Sequence, residues 1–119
     1  MEKPTIKLTP LEKTVVNTPT QHDFDTLMRV YECGGWKWDG DMLPTEVTLP
    51  HVETIGVGLQ TCLTTGTYNG KSEGKFAWCK FNEARQDNKR IILPEEFYEI
   101  QRVTLRQVIE VNRYFDMRK

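Results

Sequence analysis

Phe24, Leu27, Met28 and Tyr31 recur at spacings of three, four and seven residues, and Gly34 and Gly35 follow directly. That is the period of an α-helix with one apolar face, and the glycines supply the left-handed stop that ends it. Asp23, Asp25, Arg29 and Glu32 fall elsewhere on the wheel, so the helix buries one side and wets the other. Its start is marked too: Thr18 is placed to cap the first turn, Pro19 takes the first helical position, and Gln21 completes a capping box. A helix of this kind has to lie on something, and the remainder of the chain offers mostly strands.

Between Met1 and Glu12, Pro4 and Pro10 favour extended geometry, which predicts a short edge strand or an extended arm over residues 1–12. Lys13 to Asn17 carries the β-branched pair Val15 and Val16. Trp36 and Trp38 alternate with Lys37 and Asp39, placing both tryptophans on one side of an extended segment ahead of a turn at Asp39, Gly40, Asp41 and Pro44. Alternation returns from His51, with Ile55, Val57 and Leu59 on one face. Cys62–Tyr68 and Lys75–Phe81 read as antiparallel strands joined by a turn through Asn69 and Gly70, and Arg90–Leu93 as a further short strand.

After that, Pro94, Glu95 and Glu96 form a good helix start, and Phe97, Ile100, Leu105, Val108 and Phe115 fit one long face. Val103 interrupts it, and Thr104 with Gln107 forms a second capping box. Two readings follow: a helix from Pro94 with a bend or break near residue 103, which we favour, or a strand Tyr98–Val103 ahead of a shorter helix. The order of elements predicts an α+β fold: a mainly antiparallel sheet with a helix from the N-terminal half and a C-terminal helix on it.

A chain of 119 residues suits a single domain over residues 1–119 that buries roughly two thirds of its unfolded surface. Sixteen basic residues nearly balance 17 acidic ones, for a net charge of -1, which argues against a general polyanion binder and an acidic DNA mimic alike. The three cysteines, Cys33, Cys62 and Cys79, form no Cys-x-x-Cys pair and read as reduced, buried thiols. There is no apolar run for a signal peptide or a membrane span, so the expected location is the cytoplasm, with no membrane partner.

Motifs for chemistry are sparse. His22 and His51 lack ligand spacing to each other or to the cysteines, so no metal site is expected. Cys79, between Trp78 and Lys80, reads as a core thiol rather than a nucleophile. Asp39 and Asp41 lack the later ligands of a calcium loop. Gly70-Lys71-Ser72 lacks the glycine that a phosphate loop needs five residues earlier, where Thr65 stands. No cofactor and no enzyme activity are expected. Two surfaces suit binding. Trp36 and Trp38 beside Asp39 and Asp41 form a protein-contact patch if a tryptophan is exposed, and Arg102, Arg106 and Arg113 bias the C-terminal segment towards phosphate or nucleic acid.

The stretch from Val15 to Gln21, then Phe24-Asp25-x-Leu27-Met28, Gly35-Trp36-Lys37-Trp38, Gly40 and Pro44-Thr45 resembles a pattern in small uncharacterised proteins of phages and prophages. The resemblance covers about a quarter of the chain and specifies a structural unit more than an active site. It implies a mobile-element protein that binds a host protein stoichiometrically, most concretely an inhibitor of a host defence system of the anti-CRISPR kind. The alternatives are a sponge for a nucleotide signal, using tryptophan stacking and arginine–phosphate contacts, and a nucleic-acid-binding accessory protein.

Overall fold

A computed structural model describes residues 2–9, 11, 13–38, 40–46, 61–64, 75–76, 78–80, 86, 88 and 90–118, with the backbone alone for 61–64, 75 and 78–80. The expectations for Asp39, His51, the alternating stretch 51–60 and the turn 69–74 lie outside these residues.

Val15 and Val16 point to opposite faces of strand β1 (Thr14–Thr18), yet both are fully buried. A strand inaccessible on both faces lies inside a sheet, and β1 has a neighbour on each side. It pairs antiparallel with β3 (Thr61–Thr64), Val16 opposite Leu63, and parallel with β6 (Arg90–Ile92), Val16 opposite Ile92. β3 pairs antiparallel with β5 (Trp78–Lys80), Cys62 opposite Cys79, which gives the order β5-β3-β1-β6. A second ladder joins β2 (Lys37–Trp38) to β4 (Lys75–Phe76) in parallel.

The α+β class is therefore present, but the mainly antiparallel sheet is not. Among the described residues two pairings are antiparallel and two are parallel. The reason is connectivity: β6 reaches β1 from the far end of the chain, where no short hairpin dictates an antiparallel approach. The expected strand Lys75–Phe81 likewise divides, its start joining β2 and its middle joining β3.

Helix α1 (Gln21–Cys33) buries all four residues of its apolar stripe. Phe24, Leu27, Met28 and Tyr31 meet Val16, Trp36, Phe76, Ile92 and Phe97 in the principal core. Its other flank, Val30 and Cys33, meets Ile6, Val103 and Val111 in a second cluster. The cap is displaced from Thr18 to Thr20, whose Oγ accepts the Asp23 N–H at 3.1 Å. Thr18 cannot serve because its backbone belongs to β1, opposite Thr61.

The C-terminal segment breaks as favoured: α2 (Pro94–Ile100) and α3 (Leu105–Asp116) are separate, and Thr104 and Gln107 form the second capping box. At the break the Arg102 N–H donates to the Glu99 carbonyl and the Val103 N–H to the Tyr98 carbonyl, with Arg102 at φ 59°. α1 ends in the same turn, where Gly35 donates to Glu32, Trp36 to Tyr31, and Gly35 has φ 78°. Both are Schellman turns, each closed by an apolar contact of the residue beyond the turn. One uses glycine in the left-handed region and the other an arginine, which incurs a steric cost of about 1 kcal/mol. Arg102→Gly should therefore raise stability by up to ~1 kcal/mol, while Gly35→Ala should lower it by a similar amount. Urea denaturation of both variants checks the pair; an Arg102→Gly variant less stable than the parent would show that the arginine side chain matters more than its backbone.

Among the described residues before Lys13, none belongs to a strand. They lie as a docked arm, with the Ile6 N–H donating to the Cys33 carbonyl at 3.1 Å. The Gln101 side-chain amide completes the attachment: its Oε1 accepts the Thr9 N–H at 2.7 Å and its Nε2 donates to the Thr9 carbonyl at 2.6 Å. A buried side chain thus replaces one rung of a β-ladder. On the other side, Arg29 ties α1 to α3 through Asn112 at 2.9 Å and Asp116 at 3.1 Å. Among the described residues no helix is long and apolar enough to cross a membrane.

Candidate functional site

The aromatic patch anticipated from sequence is part of the core. Trp36 is 4% exposed and Trp38 7%, so neither offers a face for protein contact or base stacking. Trp36 lies against Tyr31 and Phe97, and Trp38 against Phe76 with ring centroids 4.5 Å apart. The Trp38 indole N–H donates to the Pro44 carbonyl at 3.2 Å, so that ring's polar edge is satisfied internally. Asp41 is exposed, at φ 72°, and its N–H closes the turn onto the Trp38 carbonyl. Next to it Thr45 gives both its N–H and its hydroxyl to Glu32, which fixes the short 3-10 turn Pro44–Glu46 on α1.

The three arginines remain at the surface. Arg102 is held by the turn between α2 and α3, Arg106 pairs loosely with Glu110 at 3.5 Å, and Arg113 lies exposed in the last turn of α3. The core face of α3 is Val111 and Tyr114, with Val108 and Phe115 half-buried. Leu105, expected on a face shared with Phe97, is instead 76% exposed, and Ile100 is also exposed. The break explains this, because the residues of the turn reset the helical phase and the apolar pattern no longer runs through it.

A groove opens where α1, α2 and α3 converge, with a volume of about 490 Å³. The first turns of α1 contribute His22, Asp23 and Thr26; α2 contributes Glu95, Tyr98 and Glu99; Val103, Leu105 and Val108 form the apolar wall. A second hollow on the far side of α2 is lined by Arg90, Leu93, Glu96 and Ile100, and again by Glu95 and Glu99. These two carboxylates line both hollows, so α2 presents an acidic ridge between an apolar groove and a more polar depression. Glu96 pairs with Arg90, whereas no cation among the described residues meets Asp23, Glu95 or Glu99.

Part of this acidity has a structural cause. Asp23 and Glu95 lie in the first turns of their helices, where the dipole favours a negative charge. Glu99 does not share it, because it occupies the last turn of α2, where carbonyls already concentrate negative potential. Tyr98 lies beneath the ridge with its hydroxyl buried and without a hydrogen-bond partner among the described residues. Burial pushes its pKa well up, and the nearby Asp23 and Glu95 charges push it further. The phenol therefore stays neutral throughout the physiological range. His22 is exposed at the groove's edge and forms no hydrogen bond or ion pair with those carboxylates among the described residues.

Chemically, the arrangement suits recognition. It offers apolar area for contact and fixed negative charge for orientation, and the carboxylates repel a phosphate group placed there. Sequence reasoning missed this site: Glu95 was legible only as a helix start and Leu105 only as core. The one signal for it was the acidic run Glu95, Glu96 and Glu99 with no basic residue in α2. Compared with protein-family models, curated proteins and solved structures, the chain matches none.

Proposed function

We propose that this chain is a phage-type accessory protein that acts by stoichiometric binding to a host protein, most concretely as an anti-CRISPR-like inhibitor of a host defence system, and that it is not an enzyme. The setting comes from the resemblance over residues 15–45. The observation that carries the binding reading is the groove: an apolar wall ending in the exposed Leu105 beside carboxylates that have no cation of their own among the described residues. A binder needs such a surface preformed, since ordering it on contact would consume affinity.

Two measurements test the reading. Tagged protein incubated with bacterial lysate should retain one host protein at near-equimolar yield. Expression in a strain with active CRISPR immunity should restore plaque formation by a targeted phage by orders of magnitude. Failure to capture any protein stoichiometrically, together with unchanged immunity, would remove the proposal.

A further inference from the structure

Resting on the protein-binding reading above, we infer that the α2 ridge and its groove take a basic amphipathic helix of the partner, whose apolar residues sit against Leu105, Val103 and Val108 while its lysines or arginines meet Glu95 and Glu99. The charge pattern selects this occupant. Of the three glutamates in α2, Glu96 is paired to Arg90, and the other two stand four residues apart without a cation among the described residues. Glu95 and Glu99 therefore rise from one face of the helix, roughly 6 Å apart, which matches the spacing of basic residues at i and i+4 on a facing helix. Glu99 opposes the dipole of its own helix and lacks any intramolecular compensation among the described residues, as expected of a charge whose counter-ion arrives with the partner. Leu105 adds the apolar half: its side chain is 76% exposed, and the capping box of Thr104 and Gln107 fixes the backbone that carries it, so contact costs only side-chain freedom there. Acidic peptides, nucleic acids and anionic membranes are disfavoured by the same carboxylates.

The test uses the full chain and a dye-labelled synthetic peptide of ~18 residues, with leucines at helical spacing and lysines elsewhere, followed by fluorescence anisotropy. The same peptide with glutamate in place of lysine serves as the comparison. The lysine peptide should bind in the micromolar range at low salt, and the glutamate peptide at least tenfold more weakly. Binding of the lysine peptide should drop about tenfold in a Glu95→Gln/Glu99→Gln variant and several-fold in Leu105→Ser, and should weaken as salt rises. All of these positions are exposed, so each variant should remain folded and melt within a few degrees of the parent. Equal binding of the two peptides, or affinity unchanged in the glutamine variant, overturns the proposal. So does sedimentation showing a homodimer that Leu105→Ser dissociates, since a second copy would then fill the groove. If the peptide fails while lysate capture persists in the glutamine variant, the proposal is overturned, and the binding function stands and uses another face.

Discussion

Replacing Phe97 with alanine should cost about 3–5 kcal/mol, a large share of the ~5–15 kcal/mol that typically holds a domain together. Phe97 is fully buried where α2 meets the sheet. Its ring stands edge-on to Tyr31 at 5.6 Å and to Trp36 at 6.3 Å, and the same core includes Val16 of β1 and Ile92 of β6. Truncation would leave a cavity that none of these neighbours can close, because Trp36 is tied to α1 by its backbone N–H and Tyr31 lies mid-helix. Urea denaturation followed by tryptophan fluorescence reads the effect directly, since Trp36 and Trp38 share that core. The midpoint should fall by roughly 2 M, given a slope of about 1–3 kcal/mol per molar for a chain of this size. A loss below ~1 kcal/mol would mean that Phe97 does not join α2 to the sheet.

Cys33 should react with a thiol reagent about a hundredfold more slowly than an unperturbed cysteine at pH 8. Burial pushes its pKa from 9.0 to about 11, with Lys3 lowering it slightly and Glu32 raising it. The thiolate is the reactive form, and at a pH below both values its population falls in proportion to the change in the acid dissociation constant. Labelling followed by peptide mass mapping isolates Cys33 from the other two cysteines, and denaturant should abolish its protection. The raised pKa also has a thermodynamic consequence. Because the unfolded thiol ionises first, the stability linked to Cys33 is complete below pH 9 and is lost as pH rises towards about 11. Tyr31 and Tyr98, both raised above 10.0 chiefly by burial, add to the loss at still higher pH. All three act in one direction, so the molecule should weaken in alkali. Rapid labelling of Cys33 in the native protein would mean that the cluster around Val30, Val103 and Val111 opens readily.

What was legible in the sequence is what depends on near neighbours. Helix α1, its glycine stop, the Thr104 cap and the break near residue 103 all follow from side chains within a few positions of one another. Thr18 failed as a cap because a strand partner far along the chain had already claimed its backbone. The parallel pairing of β1 with β6 left no local trace for the same reason. Trp38 was correctly read as part of a strand, with Trp36 just ahead of it, but alternation cannot tell which side of the strand faces the core. Leu105 misled because the apolar spacing was counted through a turn that changes the helical phase. The groove depends on three helices meeting, and only the unrelieved acidity of α2 hinted at it.

The attachment of Thr9 by Gln101, 92 residues later, also bears on how the molecule comes into being. A nascent chain that has exposed the arm, β1 and α1 still lacks the amide that fastens the arm and the strand that completes one flank of β1. Both are synthesised long after the elements they join, so the native arrangement cannot close until residues 90–101 have left the ribosome. Contacts so distant along the chain also make folding slow compared with a helical bundle of equal size.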